Sequence, residues 1–136
     1  MRIILAYHGT GKTHLAQSRG GFIDLEAYCF MPIDEKYYQA IEQYPIYGYT
    51  VLGLCRDYII KELLKRGLNF TVVIPKISDK KYFLDRFKNN RIEEDDFYED
   101  LLKQYEANLK VIEKVAKGKI VYLEKGQYLS DIIDDL

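Results

Sequence analysis

The stretch Ala6-Tyr7-His8-Gly9-Thr10-Gly11-Lys12-Thr13, entered from Arg2-Ile3-Ile4-Leu5, decides the reading of this chain. Residues 2–7 form an apolar run with no polar face, which predicts a β-strand buried on both sides and central in a parallel sheet. Gly9 and Gly11 permit backbone conformations that a Cβ would block, so several N–H groups can converge on one anion. Residues 12–17 suit a short helix, whose first turn brings unpaired N–H groups and the positive end of its dipole. Lys12 adds a charge that reaches outer phosphates, and Thr13 adds a hydroxyl suited to magnesium. The expectation is a phosphate loop at 6–13 that binds a nucleoside triphosphate through Gly9, Thr10, Gly11, Lys12, Thr13 and His14.

The full phosphate-loop pattern is G-x-x-x-x-G-K-[ST]. Ala6 stands at its first position, so the match is A-x-x-x-x-G-K-T. The inner stretch fits the tighter G-x-P-G-x-G-K form, with His8 where proline often stands. The alternative is a plain glycine turn with Lys12 solvated. The place of the motif, directly after a buried-type strand, favours phosphate binding.

The chain has 136 residues, which suits one domain with a real core. Hydrophobic residues make up 48% and charged residues 30%, as in ordinary globular proteins. The formal net charge of −1 argues against a protein that coats a nucleic acid polymer. No apolar run approaches the roughly 20 residues that cross a bilayer, so no membrane partner is expected. The N-terminal run reads as a first strand rather than a signal peptide. Cys29 and Cys55 match no zinc or redox spacing and read as free thiols of a cytoplasmic protein.

Strands and helices alternate along the chain, which implies a parallel sheet covered on both faces. Strands are expected at 2–7, 22–24, 50–55, 69–74 and 119–123. Helices are expected at 12–17, 34–43, 57–66, 78–88, 93–117 and 129–136. Asp57 and Ser78 read as helix caps, and Gly67 and Gly118 as helix stops. Phe97, Leu101, Tyr105, Leu109, Ile112 and Ala116 recur at three- and four-residue spacing and mark one buried helix face. Residues 26–49 are ambiguous, broken by Pro32 and Pro45 and rich in tyrosine.

With these elements in place the chain resembles the small P-loop nucleoside and nucleotide kinases, and in particular short bacteriophage proteins described as nucleotide kinase-like. Three stretches carry the resemblance: the loop Gly9-Thr10-Gly11-Lys12-Thr13, the helix-turn-strand KELLKRGLNFTVVIP at 61–75, and KKYFLDRFKNNR at 80–91, which is similar to an arginine-bearing lid helix. The resemblance implies a three-layer α/β P-loop NTPase fold with a five-stranded parallel sheet flanked by helices. It further implies an acceptor-binding region at 26–49 and a lid at 78–92.

Asp24 and Glu26 lie two apart in an extended segment and so point the same way, toward the carboxyl ends of the strands where open α/β sheets bind ligands. By resemblance, Asp24 orders magnesium waters beside Thr13, and Glu26 binds or orients the acceptor. Arg56, just after the third strand, is where nucleotide kinases place an arginine on the acceptor phosphate, a role its planar fork suits. The same strand end lacks the carboxylate many such kinases carry there. Arg86 and Arg91 match lid arginines that neutralise the transferring phosphoryl group. Their alternative is a solvated basic helix face. Residues 124–128 match a loop that wraps the nucleotide base, with Lys125 or Tyr128 on its face. The tyrosines of 28–49 read either as base-stacking rings or as large side chains filling a core without tryptophan.

The expected activity is ATP- and Mg2+-dependent phosphoryl transfer to a small acceptor, foremost a (deoxy)nucleoside monophosphate. Catalytic roles fall on Lys12, Asp24, Arg56, Arg86 and Arg91, acceptor binding on Asp24, Glu26 and Arg56, and metal contact on Thr13 and Asp24. The expected location is the cytoplasm, that of the host if the protein is viral. Three other readings stand beside this one. One is a kinase of a non-nucleotide metabolite. Another is a nucleotide-binding regulator that kept the loop and lost the chemistry. The third is a structural viral protein whose loop is ornamental.

Overall fold

Five parallel strands lie in the order β2-β3-β1-β4-β5: β1 (Arg2–Ala6), β2 (Phe22–Asp24), β3 (Thr50–Leu54), β4 (Thr71–Pro75) and β5 (Ile120–Leu123). They are taken from a computed structural model that describes residues 2–25, 33–89 and 95–136. The apolar run at the N-terminus explains the central place of β1. Ile4, Leu5 and Ala6 are at most 1% exposed, as a strand covered on both faces requires. Ala6 pairs with Leu54 of β3 on one side and with Val73 of β4 on the other.

The helices are α1 (Lys12–Ser18), α2 (Glu35–Gln43), α3 (Asp57–Lys65), α4 (Lys80–Asn89), α5 (Asp95–Val115) and α6 (Leu129–Ile132). The β1–β2 connection runs in one direction along the sheet, and those from β3 to β4 and from β4 to β5 run in the other. Right-handed crossovers therefore put α1 on one face and α3 and α5 on the opposite face. The contacts agree, with α1 against α6, and with α3 and α4 against α5. The result is an α/β fold of three layers.

α1 is too short to be stable alone. Leu15, fully buried beneath it, contributes roughly 2 kcal/mol of apolar burial that holds it in place. α3 buries Ile59, Ile60 and Leu63, and α5 buries Tyr105, Leu109, Ile112 and Ala116 as the periodicity predicts. The side chains of Phe97 and Leu101 lie outside the described residues. Arg66, at the end of α3, donates to Glu62 on its own helix and to Glu35 and Glu42 of α2, and stacks on Tyr38. This network joins α2 to α3.

Several boundaries differ from the sequence expectation. Asp57 is the first residue of α3, and Arg56 is its N-cap. Ser78 does not cap a helix: a 3-10 turn over Ile77–Asp79 precedes α4. Pro75, one residue beyond the strand expected at 69–74, is the last residue of β4 and pairs with Leu123. A proline tolerates this place because β4 ends there. A second 3-10 turn, Tyr44–Tyr47, follows α2 with Pro45 in its first turn, where a missing N–H costs nothing. The expected terminal helix breaks into α6 and a 3-10 turn over Ile133–Asp135. No helix among the described residues is long and apolar enough to cross a membrane.

Candidate functional site

β1 ends at Ala6, but Tyr7 still pairs through its N–H with the Val73 carbonyl at 3.0 Å. The chain then turns tightly into α1. Gly9 and Gly11 have φ of +77° and +98°, where an L side chain is strained. Space is short as well. A Cβ on Gly9 would come within 3.3 Å of Phe87, and one on Gly11 within 3.3 Å of the Tyr128 ring. Both glycines are therefore required by conformation and by close approach.

Thr10 is buried between them. Its hydroxyl donates to the Tyr7 carbonyl at 2.7 Å, and its own carbonyl accepts the Leu129 N–H at 2.7 Å. Lys12 is only 6% exposed and donates from Nζ to the Ala6 carbonyl, so its ammonium lies across the inside of the turn. Thr13 is exposed, and its hydroxyl donates to Asp24 Oδ2 at 3.1 Å. β2 delivers Asp24 to this point because α1 packs against β2. The two residues expected to share a magnesium ion are thus adjacent.

A cleft of about 560 Å³ opens over the turn, within the usual range of small-molecule sites. The turn residues and His14 line its floor, and Phe87, Tyr128, Ser130 and Asp131 its walls. It lies where the connections leaving the neighbours β1 and β4 part in opposite directions, the topological switch point at which open α/β sheets bind ligands.

Arg86 departs from the expectation of a lid arginine that closes over a ligand. It is 9% exposed and donates to the carbonyls of Gly9, at 2.7 Å, and Gln127. Its guanidinium carbon lies 4.0 Å from the Tyr128 ring centre and 4.7 Å from that of Phe83. Because α4 packs directly beside the turn, this arginine ties the turn to residues 127–128. Arg86 is thus engaged with the turn in this structure. Arg91 and Glu26 lie outside the described residues, as do Tyr28, Cys29 and Pro32.

Arg56 is half-buried after β3, with Nη2 3.0 Å from His8 Nε2. It also faces the Tyr7 hydroxyl, which accepts from the Asn108 amide at 3.4 Å. Burial raises the Tyr7 pKa, and Asn108 and Arg56 offset part of that rise. The segment 124–127 is anchored by ion pairs, Lys76 with Glu124 at 3.1 Å and Lys125 with Asp79 at 3.7 Å. Lys125 is therefore engaged with Asp79. Tyr128 forms part of the cleft wall.

Of the tyrosines in 28–49, Tyr37 is a core residue, fully buried, and its hydroxyl accepts the Leu54 N–H at 2.8 Å. Tyr47 is 78% exposed. Sequence reasoning missed Phe87, Ser130 and Asp131 as cleft residues. Asp131 had a signal: its carboxylate accepts the Tyr128 N–H at 2.7 Å, the acidic half of a capping box at the start of α6. Phe87 had none, since its spacing marks it only as a helix core position.

No group of three or more His, Cys, Asp or Glu side chains that could cage a metal occurs among the described residues. Thr13 and Asp24 offer one hydroxyl and one carboxylate. That donor set fits Mg2+, which keeps several waters and is held by one or two protein oxygens together with substrate phosphates. Cys55 is buried and forms no disulfide among the described residues. No protein-family model matches the chain, and no curated protein matches its sequence.

Proposed function

We propose that the protein transfers the γ-phosphoryl group of ATP to a small acceptor, a nucleoside or deoxynucleoside monophosphate. The observation that carries this reading is the turn itself. Gly9 and Gly11 take positive φ, Lys12 is buried inside, and Thr13 and Asp24 are joined at its mouth. Such a turn directs N–H groups and a cation at one point, which suits a polyphosphate. A P-loop NTPase fold is part of the proposal, as is action in the cytoplasm.

In this mechanism Lys12 exchanges the Ala6 carbonyl for β- and γ-phosphate oxygens and neutralises charge that grows on transfer. Magnesium, when bound, would supply positive charge beside the phosphates. Thr13 would hold it, with Asp24 orienting its waters. Arg56 binds the acceptor phosphate with its fork and brings the attacking oxygen into line. Arg86 keeps the turn in shape by occupying the Gly9 carbonyl.

A second reading is a nucleotide-binding regulator without turnover. Leu54-Cys55-Arg56 supplies no carboxylate at the end of β3, and Arg86 is already engaged; both observations favour it. ADP release from Mg-ATP with a panel of ribo- and deoxynucleoside monophosphates separates the two. Acceptor-dependent turnover that Lys12→Ala abolishes, in a protein that stays folded, supports the kinase. ATP binding with no turnover on any acceptor supports the regulator.

A further inference from the structure

Beside the main cleft lies a second, smaller cavity of about 100 Å³, lined by Arg56, Asp57, Asn108, Val111 and Ile112. Two side-chain contacts stand between them. His8, which lines the main cleft, meets Arg56, and Tyr7, which also lines it, accepts from Asn108. Consecutive residues of the turn therefore form the partition, and each holds a polar residue of the smaller cavity. Asp57 also lines that cavity, with Lys61 4.0 Å from its carboxylate.

The His8–Arg56 contact has a defined proton arrangement. A guanidinium donates and cannot accept, so His8 Nε2 must present its lone pair. The proton of the neutral ring is then on Nδ1. The ring is fixed edge-on by Tyr7 at 5.3 Å and by Phe87 at 6.1 Å between centres. Arg56 is thereby held before any ligand arrives. An arginine already ordered loses less rotamer freedom on meeting an anion.

We infer that His8 is a positioning residue for the acceptor: it presets the Arg56 guanidinium for an acceptor that carries a phosphate monoester. The inference rests on the kinase reading above. It narrows the substrate class, because a guanidinium preset at the partition favours acceptors that already bear phosphate over unphosphorylated nucleosides. His8 stands where related loops place proline, so the contact is a property of this chain's own sequence.

The test compares wild type with His8→Leu and His8→Gln, each verified as folded by circular dichroism. It uses a nucleoside monophosphate identified by ADP release as the acceptor, and a nonhydrolysable ATP analogue for binding. Removing the charge-assisted contact is expected to raise the acceptor KM about tenfold in His8→Leu. Affinity for the analogue, whose cleft His8 also lines, should fall by clearly less than the acceptor KM rises, and His8→Gln, whose amide oxygen can accept from Arg56, should restore most of the KM loss. Nitrogen-15 NMR of wild type should show the Nδ1–H tautomer at His8. An unchanged acceptor KM, an equal loss of analogue affinity, or an Nε2–H tautomer overturns the inference and leaves the kinase reading standing. A wild type that turns over no acceptor overturns both.

Discussion

The hydroxyl of Thr13 and the carboxylate of Asp24 lie 3.1 Å apart, although one residue belongs to the first turn of α1 and the other ends β2. Asp24→Asn keeps the shape and removes the charge. Outer-sphere partners of a metal commonly matter about 10- to 100-fold, and a loss of that size is expected in Mg-dependent turnover. The magnesium concentration for half-maximal rate should rise, while metal-free nucleotide binding changes little. A magnesium titration of the rate checks this. An unaltered magnesium requirement would remove Asp24 from the metal site.

Gly11→Ala should disturb the turn more than its single methyl group implies. A non-glycine residue at left-handed φ costs about 1–2 kcal/mol, and here the new Cβ also meets the Tyr128 ring at 3.3 Å. The expected result is a lower Tm together with weaker ATP binding, read by thermal melts with and without nucleotide. Retention of full stability would show that the turn can adopt another path.

Arg86→Lys tests whether charge or geometry matters under the turn. Lysine keeps the charge but cannot bridge the Gly9 and Gln127 carbonyls with a planar fork while stacked on Tyr128. A loss of about 1–3 kcal/mol is expected in denaturant unfolding, since two part-buried carbonyls lose a charged donor. A neutral outcome would mean that α4 does not depend on this tie.

Tyr105 offers a contrasting case. Its hydroxyl is buried and has no hydrogen-bond partner among the described residues, so Tyr105→Phe should leave stability unchanged or raise it by about 1 kcal/mol. Burial raises its pKa, and that of Tyr7, above the ordinary 10.0. The unfolded chain sheds these protons first, so the linked stability is present below pH 10 and is lost as pH climbs through the folded values. Melting temperatures should fall above pH 10, and fall less steeply in Tyr105→Phe. Equal slopes would show that other groups govern the alkaline transition.

Much of the architecture was legible because its signals are local. The apolar run of β1 identifies a central strand, and the spacing of Tyr105, Leu109, Ile112 and Ala116 marks the buried face of the α5 segment. The glycines, Lys12 and Thr13 announced their turn within one short stretch. The setting of Arg86 was not legible, because a lid arginine and a bracing arginine have the same sequence. What separates them is the packing of α4 against Gly9 and Gln127, contacts made across 77 and 41 residues. The His8–Arg56 contact spans 48 residues and depends on the pairing of β1 with β3, which no local pattern encodes. Ser78 misled for the opposite reason: a good capping residue was overruled by a 3-10 turn that sets the entry angle of α4.

The bond from the Leu129 N–H to the Thr10 carbonyl bears on the order in which the molecule is made. A ribosome delivers residue 10 long before residue 129. β1 can pair with β3 and β4 while translation continues, yet the turn lacks its Tyr128 wall and this bond until α6 emerges. Nascent chains stopped before α6 should therefore carry a nearly complete sheet and an unfinished cleft. The ability to hold ligand in the cleft would be acquired only once residues 128–132 have been made.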